Sequence, residues 1–118
     1  MKYYIYKITD SKNQEEFYIG STNNISKRKS SHKKAVCNKT SKKYWLKVYQ
    51  YIRANGGWTS FEVTILEAGT CEDSAYMKQK EQEYINKLKP TLNSVKALKE
   101  KLIYNVTELN TVPTEENI

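Results

Sequence analysis

Arg28 and the chain's only histidine, His32, stand four residues apart, so on a helix they share one side. Glu81 falls four residues after Met77 and four before Ile85, inside an apolar stripe of Met77, Tyr84, Ile85 and Leu88. A carboxylate at a stripe position is costly unless a cation or hydrogen-bond donors meet it. Tyr6 and Tyr18 lie in two short runs rich in aromatic and β-branched residues. Taken singly, each has a bland explanation: a core tyrosine, a structural histidine, one arginine among many cations, a glutamate paired with a lysine. Taken together they are what phosphodiester hydrolysis needs. An arginine neutralises charge on a pentavalent phosphate. A carboxylate holds a divalent cation that polarises a phosphate oxygen and assists the leaving oxyanion. A phenol or imidazole takes the proton of the attacking water.

The charge distribution points to the same substrate class. The 118 residues carry 20 Lys and Arg against 13 Asp and Glu, a net charge of +7. Between Phe17 and Phe61 there is no acid, while Lys27, Arg28, Lys29, Lys33, Lys34, Lys39, Lys42, Lys43, Lys47 and Arg53 all fall there. A one-signed block within a foldable segment is the footprint expected for a polyphosphate partner. No Trp/Phe/Leu-rich amphipathic face accompanies it, which weighs against a lipid surface. No apolar run approaches the ~18 residues of a membrane span, and no signal peptide is read at the start of the chain. Cys37 and Cys71 are too few for a disulfide scaffold and are not spaced with His32 as a zinc site. They are expected as reduced thiols in an intracellular compartment.

The elements that must position these residues follow from periodicity. Residues 3–9 read as a strand with Tyr4, Tyr6 and Ile8 on one face and Tyr3, Ile5 and Lys7 on the other. A polar turn leads to a returning arm over 17–20. Asn23 or Asn24 caps a helix over 25–36. A second helix is expected over 42–54, with Trp45, Val48, Tyr49 and Ile52 at helical spacing, ended by Asn55-Gly56-Gly57. A third strand covers 60–67, with Phe61, Val63 and Ile65 on one face. Thr70 and Asp73 form a loose capping box for a helix to Leu88, and Pro90 stops it. A last short helix over 94–104 and a fraying acidic tail complete the chain. The expected fold is α/β of the α+β kind: a small three-stranded, mostly antiparallel sheet flanked by helices in the order ββααβα. One domain spans 1–95, with a C-terminal extension over 96–118.

The spacing also resembles a known family. Tyr4-Ile5-Tyr6, eleven residues, then Tyr18-Ile19-Gly20 is similar to the signature of the GIY-YIG nuclease superfamily. Ser21 and Thr22 then lead to Arg28 and His32, as in that family's R-x-x-x-H helix. Glu81-x-x-x-Ile85 matches its glutamate helix, and Pro90-Thr91-Leu92-Asn93 its closing P-x-x-N element. The resemblance covers about residues 2–95. One departure is Tyr4, where the motif has glycine. It is expected on the strand face of Tyr6, where it crowds the site or adds to it.

The resemblance implies a metal-dependent endonuclease. Glu81 would ligate one Mg²⁺ or Mn²⁺, one metal rather than two because the site offers a single carboxylate. Tyr6 would be the general base, with Arg28 and the metal favouring its phenolate. His32 would hydrogen-bond a tyrosine or relay its proton, and Arg28 would stabilise the transition state. Tyr18 would orient phosphate or water, and Asn93 would fix local backbone. Lys27, Lys29, Lys33, Lys34, Lys39, Lys42, Lys43 and Lys47 would track the backbone of duplex or branched DNA. With no separable recognition domain in its 118 residues, the chain is expected to be weakly specific or selective for branched or nicked structure, or else to work beside an additional recognition domain or protein partner. The alternative is a module of the same fold that binds DNA or RNA without cutting.

Overall fold

The computed structural model describes residues 1–93; the helix expected over 94–104 and the acidic tail lie outside the described residues. Strands β1 (Lys2–Asp10), β2 (Asn13–Thr22) and β3 (Phe61–Thr70) form one antiparallel sheet in the order β2-β1-β3. Helices α1 (Ile25–Cys37) and α2 (Lys47–Ala54) separate the hairpin from β3, and α3 (Ser74–Leu88) follows it. This is the expected α+β order.

Strand β1 is central and covered on both faces, which its sequence dictates. Tyr6 and Ile8 pack with Ala35 and Val36 of α1, Val48, Tyr49 and Ile52 of α2, and Leu92. Tyr3 and Ile5 point the other way, onto Ile19 and Met77 of α3. Ile5, Ile8, Ile19 and Ile52 lose all contact with solvent. Each contributes roughly 1.5–3 kcal/mol of apolar burial.

Strand β2 would be an open edge, but residues 91–93 close it. The Leu92 N–H donates to the Phe17 carbonyl at 3.0 Å. The Asn93 side-chain amide bonds Ile19 twice, accepting from its N–H and donating to its carbonyl, both at 2.7 Å. An amide that presents a donor and an acceptor side by side substitutes for one residue of a neighbouring strand, which blunts the edge.

Several boundaries differ from expectation, each for a local reason. Helix α2 begins at Lys47 rather than 42, because residues 38–46 form a chain of turns. Trp45 therefore leaves the helical stripe and is exposed. Helix α3 is capped by Asp73 alone, whose carboxylate accepts from the Tyr76 N–H, and Thr70 ends β3 instead. Leu88 lies at the helix end and is exposed. In β3 the register slips opposite Ile5 and Tyr6, leaving Leu66 as an extra residue. Phe61, Val63 and Ile65 share one face, as expected, but only Phe61 and Val63 pack on the core there and Ile65 is exposed. Beyond the bulge Glu67 is turned to the α3 face, where it meets Tyr3 and Tyr84.

Candidate active site

The site is built on the hairpin and the first turns of α1. Asn24 caps α1, its side-chain oxygen accepting from the Lys27 N–H at 3.0 Å. That cap fixes the helix so that Arg28 and His32 fall on the side facing β1 and β2. His32 is buried, and Arg28 is half-buried at the mouth.

His32 links two phenols. Its Nε2 lies 2.6 Å from Tyr6 Oη and its Nδ1 2.6 Å from Tyr49 Oη. A neutral imidazole has one donor and one acceptor nitrogen, so one phenol gives it a proton and the other receives one. The ring is walled by Tyr18, edge-on at 5.7 Å, and by Trp58, stacked at 6.1 Å. Burial, then the charges of Arg28 and Lys43, push the His32 pKa down to about 4. The imidazole is therefore neutral at physiological pH.

Tyr6 is almost fully buried. Burial raises its pKa, Tyr18, Tyr49 and Glu81 raise it further, and Arg28 alone opposes them. Arg28 favours a Tyr6 phenolate, as expected, but desolvation outweighs the guanidinium acting alone, so the pKa of the phenol is raised. Tyr18 is raised too, chiefly by burial and then by Glu81, again against Arg28. Its ring lies 6.5 Å from that of Tyr6. Among the described residues nothing hydrogen-bonds its hydroxyl.

Gly20 explains how Tyr6 reaches His32. A Cβ at Gly20 would lie 2.6 Å from Tyr6 Oη and 2.7 Å from Cζ, so only glycine lets the ring cross β2.

Glu81 approaches from α3. Its Oε1 accepts from Ser21 Oγ and stands 3.4 Å from Lys78 Nζ, and its side chain is 20% exposed. Among the described residues no donor reaches Oε2. No cluster of three or more His, Cys, Asp or Glu exists among the described residues, so a site assembled from protein ligands alone is not built here. One accessible carboxylate does fit a hard ion that keeps most of its water, as Mg²⁺ does.

Arg28 opens onto a groove of about 360 Å³ lined by Thr22, Asn24, Lys27, Ser31 and Lys43, with no carboxylate in its wall. Among the described residues Arg28 and all eight lysines assigned to the DNA backbone lack an acidic partner, and those lysines are exposed. Arg53, the other arginine of the basic block, is spent inside the protein, donating to the carbonyls of Val36 at 3.0 Å and Tyr44 at 2.5 Å.

The structure thus gathers Tyr6, Tyr18, Arg28, His32 and Glu81, and places Asn93 behind them on the Ile19 backbone. Tyr4 is half-buried on β1 between Thr22 and Ala68. Sequence reasoning missed three participants. Ser21 alternates with Gly20 on β2, which puts it on the α3 face with Glu81. Tyr49 read as core, although a buried phenol needs a partner for its hydroxyl. Gly20 was read as part of a motif without its steric reason.

An antiparallel α+β domain with a buried tyrosine–histidine chain, an unpaired arginine and an accessible glutamate is built as a hydrolytic domain for an anionic substrate. The chain matches the GIY-YIG catalytic domain family over residues 2–94 and belongs to it, which makes it an endonuclease of that type. Its fold is similar to that of the catalytic domain of the homing endonuclease I-TevI, with a TM-score of 0.61 and 24% identity over 75% of this chain and 90% of that one. At that identity the likeness speaks for the fold. The comparison with curated proteins found no match.

Proposed function

We propose that the chain hydrolyses phosphodiester bonds in DNA with one divalent cation, Mg²⁺ or Mn²⁺, held by Glu81. The observation that carries this reading is the neutral Tyr6–His32–Tyr49 chain buried beside an arginine that has no carboxylate partner among the described residues. A purely structural network has no use for an unpaired guanidinium at its mouth; a phosphate does.

The chemistry follows from the geometry. A phosphate entering the groove meets Arg28 and Lys43 and neutralises two of the charges that hold the His32 pKa down. Tyr6 takes the proton of the attacking water while its own hydroxyl proton passes to His32 Nε2, 2.6 Å away. Tyr6 thus acts as a base without first becoming a phenolate. Tyr18, with its free hydroxyl, orients the water or a phosphate oxygen. Arg28 stabilises the charge that grows on phosphorus-bound oxygens. When bound, the cation supplies Lewis-acid polarisation and stabilises the leaving oxyanion. Ser21 orients the Glu81 carboxylate, and Asn93 holds Ile19 so that Tyr18 and Gly20 keep their places. The lysines position the duplex without reading sequence. The similar homing-endonuclease structure is a catalytic domain, and this chain is likewise proposed to act beside a recognition domain or protein partner.

The test is cleavage of supercoiled plasmid, linear duplex, flap and four-way-junction DNA with Mg²⁺ and with Mn²⁺, comparing the parent with Glu81→Ala and Arg28→Ala. Cutting that both variants lose is the expected result. Salt-sensitive binding of all four DNAs with no cutting would assign a non-cleaving module instead.

A further inference from the structure

Trp45 lies in the turns between α1 and α2 and is 57% exposed, the most exposed of the large apolar side chains among the described residues. It is nevertheless held firmly. Tyr44 meets it edge-on at 4.8 Å, and the Arg53 guanidinium stacks on Tyr44 at 3.5 Å and lies 5.9 Å from the indole. Arg53 ties this pair to α1 through the Val36 carbonyl. Gln50 of α2 donates to the Trp45 carbonyl at 2.5 Å. The segment is therefore anchored to both helices while the ring stays in water.

A single exposed apolar side chain is ordinary on a protein surface. The surroundings of this one are not. Lys42, Lys43 and Lys47 flank it, all exposed and without acidic partners among the described residues. Lys43, two residues away, also walls the groove beneath Arg28, and its charge is felt at His32. A fixed aromatic face among cations, adjoining a phosphate groove, is the construction that holds single-stranded nucleic acid. The cations follow phosphates and the ring stacks on any base that is not already stacked. In a continuous duplex every base is stacked within the helix, so the indole gains nothing there.

We infer that Trp45 is a stacking platform for an unpaired nucleobase next to the cut strand, so that the chain prefers DNA in which a single-stranded segment adjoins a duplex. The inference rests on the nuclease reading and adds a substrate structure to it.

The experiment measures binding of the Glu81→Gln chain, so that no DNA is consumed, to a labelled flap duplex and to a fully paired duplex of equal length at one salt concentration. Trp45→Ala and Trp45→Tyr are added in the same background. Stacking of one base predicts that Trp45→Ala weakens flap binding about tenfold and paired-duplex binding less than about twofold, with Trp45→Tyr restoring most of the loss. An equal loss on both DNAs would assign the indole to the duplex and no loss on either would take it off the DNA; each overturns the inference. Cleavage by the parent would then still support the nuclease. Failure of the parent chain to bind either DNA would overturn both readings together.

Discussion

The two faces of β1 carry the same motif with opposite electrostatic outcomes. On the α3 face, Tyr3 crosses Gly69, where a Cβ would lie 2.9 Å from the ring. On the α1 face, Tyr6 crosses Gly20 in the same way. Tyr3 donates to Glu67, Tyr84 donates to the other oxygen of that carboxylate at 2.8 Å, and Lys80 approaches to 3.7 Å. Those partners, the Tyr3 hydrogen bond first, hold the Glu67 pKa below its ordinary range. Glu67 and Lys80 are thus answered within the protein. The hydrogen-bond partner of Tyr6, His32, is neutral, and the cation beside it, Arg28, has no carboxylate of its own among the described residues. The lesson is that a buried tyrosine on a glycine is a packing device, and what makes one copy a site is the charge left unanswered beside it.

The largest effect should separate the faces outright. Arg28→Ala is expected to lower cleavage by about 10²-fold or more, the scale of losing one preorganised charge donor, with a melting temperature close to the parent's. Glu67→Ala is expected to do the reverse. It leaves two phenols short of their acceptor and costs about 1–3 kcal/mol of stability, while cleavage stays within a few-fold. Paired melting curves and cleavage rates decide it, and a Glu67→Ala chain that is stable but inactive would erase the distinction.

The faces should also fail in different pH windows. His32 has a folded pKa of about 4 against a usual 6.5. Between those values the unfolded chain binds the proton and the folded chain does not, so stability falls as pH drops from 6.5 to 4. The limiting loss is on the order of 3 kcal/mol. Glu67 is depressed instead, so its contribution is present above the ordinary carboxylate range and is lost only below it. Urea midpoints at pH 7, 5.5, 4.5 and 3.5 should show His32→Gln flattening the upper window and Glu67→Gln flattening the lower. Parallel curves for parent and His32→Gln would mean that the imidazole is not held neutral.

How much of this was legible beforehand depended on whether a property was local. Alternation along β1 gave both faces, because period two leaves no freedom once the strand is central. The spacing of Arg28, His32 and Glu81 picked out the residues that the fold gathers. The errors came where tertiary contacts overrode local pattern. Residues 42–46 have helical spacing, but the hydrogen bonds of Arg53 to Val36 and Tyr44 hold that stretch as turns. Glu67 was turned to the other face by a bulge at Leu66, because one inserted residue inverts every later face. At Tyr6 the sequence displays the cation Arg28 that favours a phenolate but not the burial that opposes it.

A middle-sized effect tests the packing device itself. Gly20→Ala and Gly69→Ala each place a methyl under 3.0 Å from a buried ring. Overpacking of this kind costs about 1–3 kcal/mol, so both should melt lower by similar amounts. Only Gly20→Ala should also lose cleavage, since the atom it displaces is the Tyr6 oxygen that faces His32. Equal activity losses at the two glycines would show that sheet integrity, rather than Tyr6 position, sets the rate.

The smallest effect concerns the lysines. Lys33 on α1 has no acidic partner among the described residues, whereas Lys80 on α3 lies 3.7 Å from Glu67 and 3.4 Å from Glu83. A lysine already neutralised by the protein releases few counterions from DNA, because the phosphate must compete with carboxylates that are already in place. An unpaired one that contacts a phosphate contributes about 0.9 to the slope of log affinity against log salt. Lys33→Ala is therefore expected to reduce that slope by nearly one, with the same loss on unrelated sequences, and Lys80→Ala to leave it unchanged. Binding titrations across a salt series read both. A slope that responds to Lys80 and not to Lys33 would run the DNA backbone along α3, where Lys80 is already paired, and would overturn the assignment of the basic block.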